Sequence, residues 1–275
     1  MSGPTQDLTP RPLAVVTGAS SGIGLELARE LAERSYDLVV CAEDAAIALA
    51  ADALSAAGGA VVGVDADLAT EQGVCRLVDA VRQTGRPVDA LVLNAGVGLA
   101  GAFLDSDLDE QVRLLRLDVE ALVRLTHALA PAMTARGAGR VMITSSVAAT
   151  MPGPWYATYA AAKSFAQSFA LGLRRELADT GVTVTALQPG PTDTEFLDRA
   201  GLQDSVVAKG HLADPAVVAA KGVEAMLDGA AEQLVGVTAR AQAALGRVLP
   251  HSASAAVHGA MTKPRGSQAA KDEGT

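Results

Sequence analysis

Short apolar runs rich in β-branched residues alternate along this chain with longer stretches rich in Ala and Leu. The runs are 13–17 (LAVVT), 37–41 (DLVVC), 60–64 (AVVGV), 88–93 (VDALVL), 140–144 (RVMIT) and 182–187 (VTVTAL). The stretches between them, at 23–34, 45–57, 70–84, 108–136 and 156–180, carry helical spacing, as in Ile23, Leu27 and Leu31. Strands that are apolar throughout are buried on both faces, which requires helices on either side of a parallel sheet. Right-handed crossovers then wind the chain both ways from the middle. The expected fold class is α/β, a doubly wound parallel sheet in a single domain over 12–262. After about residue 215 the pattern weakens. Asp214-Pro215 marks a helix start, 216–228 is helical in composition and 233–237 (QLVGV) reads as a weak last strand. Residues 239–262 form a helical C-terminal extension interrupted at Pro250. Residues 1–11 read as a disordered leader and 263–275 as a disordered tail.

Composition narrows the function. Of 275 residues, 49% are hydrophobic, enough for a large core. The net charge of −9 repels phosphate backbones, so no nucleic-acid partner is expected. No apolar run reaches the roughly 18–20 residues of a membrane span, and Met1 to Pro12 holds no apolar signal core. A cytoplasmic protein is expected. Cys41 and Cys75 lack metal-ligand spacing and read as buried apolar thiols. His127, His211, His251 and His258 likewise lack partner spacing, so no metal site is assigned.

The first strand runs into Thr17-Gly18-Ala19-Ser20-Ser21-Gly22-Ile23-Gly24 and then a helix. Glycines at 18, 22 and 24 allow a tight turn, a close approach to phosphate, and close helix–strand packing. The helix N-terminus adds free N–H groups and partial positive charge for a pyrophosphate. No Gly-Lys-Ser/Thr follows, so this is not a nucleoside-triphosphate loop. Farther along, Asn94-Ala95-Gly96 follows the fourth strand and Ser145-Ser146 ends the fifth. Tyr159-x3-Lys163 opens the next helix, and Pro189-Gly190 follows the sixth strand.

In this order and spacing the chain resembles the short-chain dehydrogenase/reductase family over about 13–200, whose fold is of the Rossmann type. The resemblance implies an NAD(P)-dependent oxidoreductase acting on an alcohol/carbonyl pair. Tyr159 and Lys163, four apart, share a helix face; an ammonium beside a phenol lowers its pKa, and an oxidised nicotinamide ring, also positive, would act in the same direction. Tyr159 is then the proton donor or acceptor. Tyr156 competes for that part, but four residues on from it stands Ala160, not lysine. The resemblance gives Ser146 the substrate oxygen and Lys163 the nicotinamide ribose. It puts Asn94, Ala95 and Gly96 on the adenosine side, and Gly190, Thr192 and Thr194 at the carboxamide and phosphate. Gly18, Ser20, Ser21, Gly22, Ile23, Gly24 and Pro189 complete the cofactor contacts, with Asp67-Leu68 at the adenine. A 3-oxoacyl-type reductase is an alternative within this reading. A dinucleotide-binding regulator or scaffold without turnover is the alternative outside it.

One position departs from the family. Where it often carries an asparagine that holds a relay water, this chain has Asp118, which can bind water or pair with Lys163. Cofactor choice turns on the end of the second strand, where Ala42 is followed by Glu43 and Asp44. No cation is evident there to meet a 2′-phosphate, so NAD is favoured over NADP. The segment 191–213 closes over substrate in the family, and Phe196, Leu197 and Leu202 suggest an apolar substrate. Trp155 and Tyr156 either line that pocket or cap local packing. Phe165, Phe169, Leu173 and Leu177 form a stripe that is core or a subunit contact; the resemblance implies a homodimer or homotetramer. Arg240, Arg247, His251 and His258 could make a weak membrane-surface face, which the acidic net charge argues against.

Overall fold

The computed structural model describes residues 11–194, 196, 200, 212–236 and 250–262. Residues 1–10 and 263–275 of the expected leader and tail, the 239–249 part of the C-terminal extension, and Leu197, Leu202 and His211 lie outside them.

The strands are β1 (Leu13–Thr17), β2 (Asp37–Ala42), β3 (Val61–Asp65), β4 (Ala90–Leu93), β5 (Gly139–Thr144), β6 (Val182–Pro189) and β7 (Glu232–Val235). They form one seven-stranded sheet in the order β3-β2-β1-β4-β5-β6-β7. Every pairing is parallel. The order reverses between β1 and β4, the position where open α/β sheets leave a crevice at their carboxyl ends. Doubly wound Rossmann-type architecture is therefore observed. The central strands are buried throughout, as their uniform apolarity requires. β3 departs from that expectation: it is an edge strand, and Val62 is 45% exposed.

The helices are α1 (Gly22–Glu33), α2 (Ala46–Ser55), α3 (Glu71–Gln83), α4 (Leu108–Leu115), α5 (Ala121–Arg136), α6 (Ala157–Glu176), α7 (Pro215–Leu227) and α8 (His251–Thr262). One face of the sheet packs on Leu27 and Leu31 of α1, Ile47 of α2, and Val218 and Val223 of α7. The other packs on Leu77 of α3, Leu125 and Met133 of α5, and Ala166 and Ala170 of α6. α7 starts as the sequence signals: Asp214 accepts from Ala216 N–H at 2.8 Å, and Pro215 follows where no N–H is needed.

Two sequence expectations are corrected here. The stretch 108–136 is not one regular helix: a π-helical segment, Arg116–Glu120, separates α4 from α5. Such widened turns concentrate at functional sites, and this one carries Asp118. Cys75 is exposed on the outer side of α3, whereas Cys41 is buried and its thiol is pushed up to about 12 by desolvation. Among the described residues no helix is long and apolar enough to cross a membrane.

Candidate active site

The glycine turn interlocks with the loop after β4. Gly18 has φ +67°, and a Cβ there would lie 2.9 Å from Ala95 Cα. At Gly24 a Cβ would fall 1.9 Å from the Gly18 carbonyl oxygen and 2.5 Å from Asn94 Nδ2. Thr17 ties the two loops together: its Oγ1 accepts from the N–H groups of Asn94 (2.9 Å) and Ala95 (3.0 Å). The Asn94 side-chain amide donates to the Thr17 carbonyl at 3.2 Å.

Above this turn opens a cavity of about 330 Å³. It is lined by Gly18, Ser20, Ser21, Gly22, Ile23, Gly24, Glu43, Leu68, Asn94, Ala95, Gly96, Pro189, Gly190, Thr192 and Thr194, together with Ser146, Tyr159 and Lys163. A side-chain-free cradle at a helix N-terminus fits the pyrophosphate of a dinucleotide, so the residues present suit the implied cofactor. Asp67 is the exception. Its carboxylate turns away to Arg113 of α4, with Nη1–Oδ2 at 2.8 Å. Burial alone would raise the Asp67 carboxyl, but hydrogen bonds from Arg113 and from Ala69 N–H outweigh it and hold the group below its usual range.

The same Arg113 hydrogen-bonds Glu43 through Nη2. The expectation that no cation stands near the end of β2 is thus corrected: α4 delivers one from seventy residues farther along the chain. Asp44 is also engaged, accepting from Ser20 Oγ at 2.8 Å.

At the other end of the cavity, Ser146 caps the short turn Val147–Thr150, accepting from Ala148 N–H at 3.1 Å. Its neighbour Ser145 is buried and donates to the Lys163 carbonyl at 2.9 Å, bracing α6 against β5. Lys163 Nζ lies 5.7 Å from the Tyr159 ring centroid and 3.0 Å from Asp118 Oδ2. That second contact is one of charge rather than an aligned hydrogen bond, since Asp118 Oδ2 has no hydrogen-bond partner. Asp118 Oδ1 accepts from Val97 N–H at 2.9 Å. Gly96 makes room for the pair: a Cβ there would lie 2.8 Å from both Asp118 Oδ2 and Lys163 Nζ. Asp118 itself faces not the large cavity but a small one of about 20 Å³, shared with Thr144 and Lys163. The Thr144 Oγ1 is buried without a partner. One water fits a polar space of that size.

Charge and burial oppose each other in this cluster. Desolvation raises the Tyr159 pKa, and the Asp118 carboxylate adds to the rise. Lys163 and a hydrogen bond with Ser146 lower it, but burial wins and the phenol sits above its ordinary value. The Lys163 ammonium thus acts on Tyr159 in the expected direction, against the rise from burial. Burial pushes the Lys163 ammonium down, yet the Asp118 and Tyr159 charges more than compensate, so Lys163 is held protonated. Desolvation raises Asp118 against the opposing pull of Lys163.

The outer wall comes from Phe196, Tyr156, His258 and Thr262. The Phe196 ring centroid lies 5.5 Å from that of Tyr159. Trp155 adopts φ +68°, left-handed backbone uncommon for a bulky residue. Tyr156 hydrogen-bonds His258 of α8, and burial pushes its hydroxyl above the ordinary value. Lys163 stands beside Tyr159 instead.

Residues 12–204 match the family model for short chain dehydrogenases. This chain belongs to the short-chain dehydrogenase/reductase family. A short chain dehydrogenase of Pseudocercospora fijiensis is 34% identical over 186 residues, covering 66% of this chain and 60% of that relative. The chain thus spans less than two thirds of that relative's length. Among solved structures, a short-chain dehydrogenase from Sphingobium yanoikuyae in complex with NADPH matches with TM-score 0.77 and 30% identity, covering 94% of this chain and 99% of that one. A Burkholderia phymatum short-chain dehydrogenase/reductase in complex with NAD matches with TM-score 0.78 and 26% identity, covering 86% and 92%.

Within this short-chain dehydrogenase/reductase fold, two residues that no motif announces stand at or near the cavity: His258 lines it, and Arg113 pairs with its Glu43. Arg113 was missed because a charge in the middle of a helix reads as a solvated face. His258 was set aside because the sequence test was for metal spacing, and its partner lies 102 residues earlier. Among the described residues no cluster of three or more His, Cys, Asp or Glu could hold a metal ion.

Proposed function

We propose that this chain is an NAD(P)-dependent oxidoreductase that interconverts an alcohol and a carbonyl compound, with Tyr159 moving the proton. The observation that carries this reading is the convergence of Ser146, Tyr159 and Lys163 on one end of a cavity whose other end is a glycine cradle. Bound nicotinamide supplies the hydride, which is the cofactor's own chemistry. The Ser146 hydroxyl holds the substrate oxygen. In reduction Tyr159, which burial favours in its protonated form, donates its proton to the carbonyl oxygen, and in oxidation the phenolate takes it from the alcohol. The Lys163 charge then stabilises the phenolate left behind, and Asp118 keeps Lys163 charged. A water in the small cavity beside Asp118 and Thr144 gives the proton a way in. Val97, Leu99 and Phe196 pack around Tyr159, which suits an apolar substrate. NAD is the preferred cofactor, with the Glu43 carboxylate positioned by Arg113 to meet the ribose 2′-hydroxyl.

The test is oxidation of NADH with a panel of apolar ketones and aldehydes, alongside separate titration with NADH and NADPH. Tyr159→Phe is expected to lower turnover about 10²–10⁴-fold while NADH still binds. Full activity in that variant, or no NADH oxidation with any carbonyl by the wild type, refutes the reading.

A further inference from the structure

We propose that Tyr156 and His258 form a substrate-recognition pair, and that the substrate is a carbonyl compound bearing a second hydroxyl group. The proposal rests on the oxidoreductase reading above and adds the substrate class to it.

Both side chains line the same cavity as Tyr159, and both are buried. The ring centroid of Tyr156 is 6.0 Å from that of Tyr159 and 5.3 Å from that of His258, which meets it edge-on at 89°. The direction of their hydrogen bond follows from the other side of the imidazole. His258 Nδ1 lies 3.0 Å from the Pro152 carbonyl oxygen. A carbonyl only accepts, so Nδ1 carries the hydrogen and Nε2 of the neutral ring carries a lone pair. Tyr156 donates to that lone pair. With its proton committed, the Tyr156 oxygen has only lone pairs to offer. It can accept a hydrogen bond and cannot give one.

The pair is fixed in place. Thr262 Oγ1 donates to the Pro154 carbonyl at 2.9 Å, clamping α8 onto the loop that carries Tyr156. A Cβ at Gly153 would lie 2.9 Å from Tyr156 Cε2, so that glycine seats the ring. The surroundings are apolar, with Leu114, Ala148, Val97, Leu99 and Phe196 in the same cluster. A purely apolar substrate gains nothing from a polar pair buried there, whereas a substrate hydroxyl gains a partner.

Charge narrows the class further. Among the described residues lining the cavity, the Lys or Arg is Lys163, and it is already paired with Asp118. Burial lowers the His258 pKa, so that ring is neutral near pH 7. Among the described residues at this end, carboxylate and phosphate groups, which bring acceptors and negative charge, find no match. A hydroxyl donor does. The reacting oxygen therefore sits on Tyr159 and Ser146, and a second hydroxyl a few carbons away donates to Tyr156.

Matched probes test this: propiophenone, its α-hydroxy and β-hydroxy derivatives, and the carboxylate benzoylacetate. Two readouts are taken, kcat/KM with NADH, and ketone binding to the protein without nicotinamide, where no hydride transfer can occur. Binding is followed through the fluorescence of Trp155, the single tryptophan of the chain, next to Tyr156. One of the hydroxy ketones is expected to bind and react about tenfold better than propiophenone, with benzoylacetate the poorest. In Tyr156→Phe the ratio of hydroxy ketone to plain ketone falls toward one. In His258→Ala the tyrosine proton is released, and the ratio falls as benzoylacetate gains. A wild-type ratio near one, or a ratio that survives both variants, overturns the proposal while the oxidoreductase reading stands. Absence of NADH oxidation with every probe overturns both.

Discussion

A single missing side chain decides whether Asp118 and Lys163 can meet. Gly96 has no special backbone angle, yet a Cβ there would press on Asp118 and Lys163 at once. Gly96→Ala is expected to fold, since the clash is local, but to displace the Lys163 ammonium and lower kcat/KM about 100-fold or more; thermal melting beside steady-state kinetics separates the two effects. Asp118 gives a sharper test. Its negative charge raises the pKa of both Tyr159 and Lys163. Reduction needs Tyr159 protonated and Lys163 charged, so activity is lost as pH rises through these groups. Removing the charge lowers both, and the alkaline limb of the pH–rate profile in Asp118→Asn moves to lower pH. An unchanged profile removes Asp118 from the mechanism. At this scale much was readable: Tyr159 and Lys163 are paired by spacing, because i and i+4 on a helix share a face, and the family resemblance adds Ser146. The sign of the Tyr159 shift was not, because desolvation depends on what the rest of the fold lays over the ring.

At the scale of elements, the informative feature is the interruption of the long helix at 108–136. The π-helical segment Arg116–Glu120 carries Asp118 into contact with Lys163, while α4 before it carries Arg113 to the ends of β2 and β3. Arg113 is shared between Glu43 and Asp67 and so is placed to follow cofactor charge. Glu43→Gln removes one negative charge and leaves the guanidinium paired with Asp67 alone. The ratio of NADPH to NADH affinity is expected to rise about tenfold, and most of that gain disappears in Glu43→Gln/Arg113→Ala. Direct titration of both cofactors reads it. A gain undiminished in the double variant means Arg113 takes no part. Residue spacing could not announce this, since Glu43, Asp67 and Arg113 belong to three different crossovers.

At the scale of the molecule, α6 has a second side. Phe165 stays 38% exposed, its ring stacked on Phe169 at 5.8 Å, while Phe169, Leu173 and Leu177 pack against the core. The stripe is therefore core at one end and surface at the other, and we propose the exposed end as the contact between copies of this chain. Sedimentation equilibrium is expected to find an oligomer that Phe165→Glu converts to monomer; a monomeric wild type refutes it.

The sequence by itself determined the alternation of strands and helices, the parallel sheet, the glycine cradle and the Ser–Tyr–Lys constellation. Each is written in local spacing, and local spacing fixes the period of an element and which residues share its face. Only the tertiary structure decided that Asp118 meets Lys163, that Arg113 stands between Glu43 and Asp67, that burial outweighs Lys163 at Tyr159, and that α8 brings His258 to Tyr156. These are contacts and solvation between segments far apart in the chain, and desolvation and Coulomb interactions depend on distance in space, not along the sequence.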